Sequence, residues 1–296
     1  MIAPPRNTVD LHTHTARSDG VLEPVELYAQ MRDWGSTLVA VTDHDTLAGA
    51  RELLAAGFGG ADDDGPRLIV GVEINTAVDA EIEAVGGHEE GLGELHILGL
   101  GVDPADAAFE AVLAEQRGGR ERRLRLTLAR LRELGLDVHD HLPQVEGGID
   151  ALGRPHVARA LVSAGHAEDV QDAFARYLVP GMPAYVRRQG IGTRAAIAAI
   201  DTAGGIASLA HSPWAPDEPE VIDELMRWGL RGLEVHYHHW EDEHIEAMGA
   251  FADTHGLLRT GGSDYHGDTG TYAEAQEAVH VPVEAGDRLL AALDAG

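Results

Sequence analysis

The segment Thr8-Val9-Asp10-Leu11-His12-Thr13-His14 is a short strand-forming run that ends in two histidines. His12 and His14 are two residues apart, so on an extended chain their side chains point to the same side. Two neutral imidazoles placed in this way can bind one divalent ion. Runs of this kind, ending at His, Asp or Glu, recur along the chain.

Seven such runs alternate with segments of helical periodicity, which predicts an α/β fold with parallel strands. Barrels of parallel strands place their active sites at the carboxyl ends of the strands. Polar residues at those ends are therefore the first candidates for function. The predicted strands are Thr8–His12, Thr37–Thr42, Leu68–Glu73, Glu94–Leu100, Ile206–Ala210, Leu230–Val235 and Leu257–Thr260.

Nine His, Asp and Glu side chains are predicted to converge on this rim. Each of them alone could be a helix cap or a satisfied turn residue. Together they would be costly to bury, and divalent cations would offset that cost. Because the set has no Cys and too many ligands for one ion, we expect two or three divalent ions, with Mn, Fe and Zn as the candidates. The candidate ligands are His12, His14, Asp19, His44, Glu73, His96, His211, Asp264 and His266.

The stretch from about Asp103 to Arg188 is helical in pattern and contains no convincing strand. It predicts a helical subdomain at 103–188, inserted between a first barrel part at 1–102 and a second at 189–296. One helix of this insert carries six arginines, which usually indicate a solvated face, although one or two could lie over the mouth of the site. These are Arg120, Arg122, Arg123, Arg125, Arg130 and Arg132.

The segment Gly153-Arg154-Pro155-His156 predicts another helix start in the insert, because proline suits the first helical position. A helix start flanked by Arg and His can bind phosphate. Alternatively, Arg154 forms a cap or salt bridge within the insert and His156 is an ordinary residue of the helix start.

Composition excludes several functions. The 296 residues carry a formal net charge of −28, which argues against an extended nucleic-acid surface. The absence of Lys excludes Schiff-base chemistry, and the absence of Cys excludes thiol nucleophiles, disulfides and iron–sulfur clusters. No apolar run approaches the roughly 20 residues of a membrane span. We expect a cytoplasmic protein, and the sequence indicates no obligate protein partner.

The motifs, taken together and in order, resemble the PHP superfamily of metal-dependent phosphoesterases, named after polymerase and histidinol phosphatase. The resemblance implies a distorted seven-stranded (β/α) barrel. It also implies a first metal at His12, His14, Glu73 and Asp264, a second at Glu73, His96 and His211, and a third at Asp19, His44 and His266. The matching segments are Asp10–His14, Ser18–Gly20, Thr42–Asp45, Gly71–Glu73, His96, Ala210–His211 and Gly262–His266.

The sequence most resembles the TrpH-like branch, which hydrolyses phosphate from nucleoside 3′,5′-bisphosphates and trims short RNA from its 5′ end. This resemblance implies a nucleotide or short RNA substrate and Mn as the preferred ion. It also implies that Arg154 and His156 hold a second phosphate, with Arg187 or Arg188 as a further phosphate clamp. A related contact falls on His236, His238 or His239, and of these His239 is taken as the candidate substrate residue.

Within this resemblance, a metal-activated hydroxide would attack phosphorus. The candidate catalytic residues for protonating the leaving oxygen are His211 and Asp43. Asp43 and Asp45 could instead orient the ligand His44 as hydrogen-bond acceptors. Two other functions remain open, namely phosphatase action on a small metabolite such as histidinol phosphate and a non-catalytic metal-binding module.

Overall fold

The computed structural model describes residues 7–60, 63–86, 94–143, 152–238 and 240–295. The strands are β1 (Val9–Asp10), β2 (Leu38–Val41), β3 (Arg67–Ala77), β4 (Glu94–Leu100), β5 (Ile206–Leu209), β6 (Gly232–Tyr237) and β7 (Leu258–Gly262). The helices are α1 (Pro24–Trp34), α2 (Ala48–Ala55), α3 (Ala80–Val85), α4 (Ala107–Glu133), α5 (Arg154–Ser163), α6 (Val170–Ala173), α7 (Thr193–Thr202), α8 (Pro219–Arg227), α9 (Asp242–His255), α10 (Tyr272–Glu277) and α11 (Val283–Asp294).

The seven strands form one sheet in chain order that curves into a nearly closed barrel. The first and last strands meet through backbone hydrogen bonds from Leu11 N–H to the Gly261 carbonyl (3.0 Å) and from Asp264 N–H to the His12 carbonyl (2.8 Å). Apolar side chains of the strands pack outward against helices, for example against Ile197 of α7. The barrel predicted from the sequence is confirmed.

The direction of the fourth strand differs from the prediction. Four strand pairs are parallel, but β4 runs antiparallel to both β3 and β5. The prediction of parallel strands throughout was wrong, because an apolar run reads the same in either direction. The reversal brings the start of β4 to the rim where its neighbours end, which explains why His96 lies inside its strand.

The chain between β4 and α7 is mainly helical, as expected. The first half of α4 packs on the barrel through Phe109 and Leu113, whereas its second half places Leu124 and Leu131 in a separate apolar cluster with Leu161 of α5. Packing therefore changes from barrel to insert within α4. The boundaries at 103 and 188 stay predictions.

None of the helices in the described ranges is long and apolar enough to cross a lipid bilayer.

Candidate metal centre and phosphate pocket

The two histidines after β1 face the interior of the barrel, as their spacing predicts. Between them, Thr13 turns the other way, and its hydroxyl donates a hydrogen bond to the Ala40 carbonyl of β2 (2.7 Å). The Nε2 atoms of His12 and His14 lie 3.1 Å apart. Both rings therefore present a nitrogen to the same point, as a shared metal ion requires.

A first group of candidate ligands surrounds that point and contains His12, His14, Glu73 and Asp264. Asp264 Oδ1 lies 3.3 Å from His12 Nε2 and 3.0 Å from His14 Nε2. Glu73 Oε2 lies 3.3 and 3.2 Å from the same two nitrogen atoms. Two imidazoles and two carboxylates thus converge at the carboxyl ends of β1 and β7 and in β3.

The second group consists of Glu73, His96 and His211. The Oε1 atom of Glu73 lies 2.7 Å from His96 Nδ1 and 3.0 Å from His211 Nε2. Because the other oxygen of Glu73 faces the first group, this one carboxylate lies between two groups of nitrogen donors. That arrangement suits a carboxylate that bridges two ions.

A third group contains His14, Asp19, His44 and His266. The two oxygens of Asp19 lie 3.4 Å from His44 Nε2 and 3.3 Å from His266 Nε2. His14 stacks on His266 with 4.2 Å between ring centroids. The structure therefore brings all nine predicted ligands together in three adjoining groups.

The hydrogen bonding of these side chains fits a metal centre. Among the described residues, four buried atoms of the groups have no hydrogen-bond partner, namely His14 Nδ1, Asp19 Oδ1, His44 Nδ1 and Asp264 Oδ1. Leaving buried polar atoms unsatisfied is destabilising. Divalent cations would satisfy these atoms, and a donor set of imidazoles and carboxylates suits such ions.

The pKa shifts of these side chains also fit a metal centre. Burial opposes ionisation of Glu73, yet nearby histidines, His44 foremost, hold the pKa of its carboxyl well below the usual range. Burial lowers the pKa of the His266 imidazole, but Asp19 and Asp264 reverse this effect and raise it to about 10. Protonation is thus favoured at His266 but not at His44, because burial lowers the pKa of the His44 imidazole to about 3. Divalent cations can replace a histidine proton in balancing carboxylate charge.

Glu234 of β6 contacts two candidate ligands, His12 and His211, and the sequence analysis did not assign it. Its fully buried carboxylate lies 3.0 Å from His12 Nδ1 through Oε1, and its Oε2 accepts the backbone N–H of His211 at 2.6 Å. The first contact places the proton of His12 on Nδ1 and leaves Nε2 free for a metal. The second holds His211 at a positive φ of 26°, which is strained for a side-chain-bearing residue.

Replacing Glu234 with Gln is expected to lower metal affinity and kcat/KM by about 10- to 100-fold. The amide has one acceptor end and one donor end, so it must face either His12 Nδ1–H or His211 N–H with a donor. Metal titration by calorimetry and phosphate release measure the two effects. Glu121→Gln, on the surface of α4 beside Arg125, is the matched control, and wild-type metal affinity in Glu234→Gln would contradict the assignment.

The β6 end contributes a second unassigned residue, Tyr237. Its hydroxyl donates a 2.8 Å hydrogen bond to Asp264 Oδ2 and so orients that carboxylate. The neighbouring His236 faces away from the centre and lines a crevice with Arg259 and Arg288. His239 lies outside the described residues.

The structure does not bring Asp43 to the metal groups. Its Oδ1 accepts hydrogen bonds from Thr15 N–H and the Ser18 hydroxyl, each at 2.7 Å, and its Oδ2 accepts the Thr15 hydroxyl at 2.7 Å. These contacts hold the loop that leads to Asp19. Asp43 therefore orients the loop before Asp19 and not, as the sequence analysis proposed, His44, and these contacts give no support to a catalytic role.

A pocket opens beside the centre, between the barrel and the helical insert. Ligand candidates form its floor, four arginines form its polar wall, and apolar side chains of the insert close its far end. The floor contains Asp19, His44 and His96, the polar wall Arg120, Arg123, Arg154 and Arg188, and the far end Leu124, Leu152, Val157 and Phe174.

Only some of the predicted substrate-binding residues line this pocket. Arg154 and Arg188 line it, whereas Arg187 is exposed and pairs with Glu83 at the surface. His156 is buried, and its Nδ1 accepts the backbone N–H of Gly153 at 3.0 Å, as an ordinary helix-start residue does. Of these four residues, Arg154 and Arg188 therefore line the pocket, whereas Arg187 and His156 do not.

Two further arginines of the pocket come from α4. Arg120 and Arg123 turn inward from the arginine-rich helix, which sequence analysis treated mainly as a solvated face. Arg120 and Arg123 therefore fit the alternative, in which one or two arginines of this helix lie over the mouth of the site.

Comparison with known families agrees with this geometry. The model of the PHP domain matches residues 10–178, more than half of the chain. The chain belongs to the PHP domain family. The family suggested by the sequence motifs is thereby confirmed.

Relatives of this PHP domain protein are hydrolases. It is 34% identical over 265 residues to the 3′,5′-nucleoside bisphosphate phosphatase of Chromobacterium violaceum, covering 87% of each chain. It is 33% identical to a 5′-3′ exoribonuclease of Haemophilus influenzae, over 87% of this chain and 89% of the relative. The predicted class, a hydrolase acting on phosphoric ester bonds, is confirmed.

Solved structures support the fold of the PHP domain protein. A protein of Bifidobacterium adolescentis, described as a metal-dependent phosphoesterase, superposes with a TM-score of 0.75 and 31% identity. The match covers 98% of this chain and 97% of that one.

Proposed function

We propose that the protein hydrolyses a phosphate ester of nucleoside 3′,5′-bisphosphates and of short 5′-phosphorylated RNA. The observation that carries this proposal is the position of the four-arginine pocket directly beside three groups of metal-ligand side chains. One phosphate can lie on the metal centre while a second occupies the arginines. The activities of the bisphosphate phosphatase and exoribonuclease relatives support the same assignment.

The three groups would hold up to three divalent ions, with Mn the preferred candidate. When bound, such ions activate water as a nucleophile and neutralise charge on the phosphoryl oxygens. Side chains of the protein position the ligands. Glu73 belongs to two of the groups. Glu234 orients His12, and Tyr237 orients Asp264. His211 stays the candidate proton donor, because its side chain is 26% exposed against 1% for Glu73, the carboxylate that it contacts.

The arginine pocket supports binding of a second phosphate. Within the described ranges, Arg123 Nη2 and Arg188 Nε are buried and lack a hydrogen-bond partner. Phosphate oxygens would accept from these groups, and guanidinium forks match phosphate geometry. The apolar far end offers contact area for a base or sugar, which favours a nucleotide over a small metabolite phosphate.

Phosphate release tests the proposal. The Mn-loaded protein is assayed with adenosine 3′,5′-bisphosphate, a 5′-phosphorylated short RNA and histidinol phosphate at matched concentrations. We expect turnover of the bisphosphate or the RNA to exceed that of histidinol phosphate. A preference for histidinol phosphate would favour the small-metabolite function, and inactivity of the metal-loaded protein on all three would overturn the proposal.

Replacing Arg188 with Gln is expected to raise the KM for adenosine 3′,5′-bisphosphate about 10- to 100-fold. The estimate follows from about 1.5–3 kcal/mol for a hydrogen bond to a charged group. The kcat should change little, because the arginine contacts the phosphate that is not transferred. Steady-state kinetics measure both constants, and the neighbouring Arg187→Gln, at an exposed position, should behave as wild type. Equal effects of the two variants would contradict the placement of the second phosphate.

A further inference from the structure

Asp45 connects the metal centre to the arginine pocket. It is completely buried and directly follows the candidate ligand His44. Its Oδ2 accepts hydrogen bonds from Arg188 Nη2 at 2.8 Å and from Arg120 Nη2 at 2.9 Å and Nε at 3.2 Å. A single carboxylate oxygen thus holds two of the four pocket arginines.

The remaining polar atoms of Asp45 are also hydrogen-bonded. Its N–H donates to the Glu73 carbonyl at 3.0 Å, and its Oδ1 accepts the Asn75 N–H at 3.3 Å. Its carbonyl accepts from Arg117 Nη1 at 2.9 Å. The first two bonds join Asp45 to β3, the strand that carries Glu73, and the third joins it to α4.

The residue adopts a left-handed conformation, with φ at 56°. Side-chain-bearing residues rarely adopt it, and when they do the surrounding contacts must enforce it. Here the conformation lets one residue bond β3 through its N–H and Oδ1 while its carbonyl and Oδ2 accept from arginines. Asp and Asn adopt this conformation more readily than other side-chain-bearing residues, so the turn after His44 accommodates it.

The other two pocket arginines are held by a different carboxylate. Arg123 donates to Glu94 at 2.8 Å through Nη1, and Arg154 pairs with the other oxygen of Glu94. Glu94 lies at the start of β4, so it anchors its pair to another strand. Four guanidinium groups therefore face three carboxylates, those of Asp45, Glu94 and Asp19 on the floor, which leaves positive charge for a bound anion.

We propose that Asp45 is a positioning residue that fixes the pocket arginines at a set distance from the metal centre and thereby selects substrates with a second phosphate. This inference rests on the proposed function. A substrate with two phosphates needs both binding places at the correct separation. A substrate with one phosphate uses the metal centre alone and does not depend on that separation.

The test compares Asp45→Asn and Asp45→Gly with the wild type. Asn and Gly both tolerate the left-handed conformation, so each removes the charge and keeps the backbone. The substrates are adenosine 3′,5′-bisphosphate and adenosine 3′-monophosphate, assayed with the Mn-loaded protein. Metal content and thermal unfolding are recorded for every variant. Asp253→Asn, which breaks a surface carboxylate–arginine pair with Arg259, is the matched control.

We expect kcat/KM for the bisphosphate to fall at least tenfold in both variants, through KM, while the monophosphate changes less than threefold and metal content stays constant. An unchanged ratio of the two kcat/KM values, whether both stay at the wild-type level or both fall equally, would overturn the inference. If neither variant folds, the ratio is measured in Arg120→Gln, where the same selective loss is expected and an unchanged ratio overturns the inference. A wild type inactive on the bisphosphate would instead mean that the proposed function itself is wrong.

Discussion

Replacing Asp264 with Asn is expected to reduce phosphate release by about a thousandfold or more. Asp264 Oδ1 is buried beside the Nε2 atoms of His12 and His14 and is without a hydrogen-bond partner among the described residues. The amide keeps the shape of the side chain but removes the charge that an ion would require. Metal ions contribute several kcal/mol to such reactions, and about 1.4 kcal/mol corresponds to a factor of ten in rate.

Asn also tolerates the backbone at this position, where φ is 48°. The loss should therefore come with a lower metal content and not with unfolding. Phosphate release, elemental analysis and thermal unfolding separate these effects, and Asp253→Asn serves as the control. A folded Asp264→Asn variant that keeps its metal and half of its activity would refute the role of this carboxylate.

Removing the metal ions with a chelator is expected to lower the melting temperature by roughly 5–10 °C for each ion that is lost. Binding to the folded state at 100 times the Kd contributes about 2.7 kcal/mol per ion, and a change of 1 kcal/mol moves the melting temperature by roughly 2–4 °C in chains of 150–250 residues. Without ions, the carboxylates of Asp19, Glu73 and Asp264 are buried and rely on neighbouring histidines to hold their pKa values low.

Differential scanning calorimetry at pH 7 compares the Mn-loaded and the chelated protein. Adding Mn back should restore the higher melting temperature, which excludes damage by the chelator. Identical melting of the two forms would show that ions do not stabilise this cluster of buried charges.

Much of the fold follows from the sequence because each strand is a short apolar run that ends in a polar residue. That pattern locates the seven strands and the candidate ligands beside them. It does not give strand direction, which depends on pairing between distant segments. His96 shows the limit: it belongs to the rim because β4 is antiparallel to β3 and β5.

The structure brings the predicted ligands together where chemistry and position coincide in a local motif, and their roles stay predictions. Glu234 was missed because a single acidic residue inside a strand gives no local sign that His12 and the backbone of His211 lie against it. The choice between Arg187 and Arg188 was open for a related reason. On an extended chain, adjacent side chains point to opposite sides, and only the folded insert shows which side faces the pocket.

The most direct test of a metal centre beside a second-phosphate pocket is anomalous diffraction near the manganese edge. Crystals are soaked with Mn, adenosine 5′-monophosphate and inorganic phosphate, which are the products if the 3′-phosphate of the bisphosphate is the one hydrolysed. We predict two or three anomalous peaks at the groups around Glu73, free phosphate on those peaks, and the nucleotide's phosphate on Arg188 and its neighbours. Peaks elsewhere, or a nucleotide phosphate outside the arginine pocket, would contradict this arrangement.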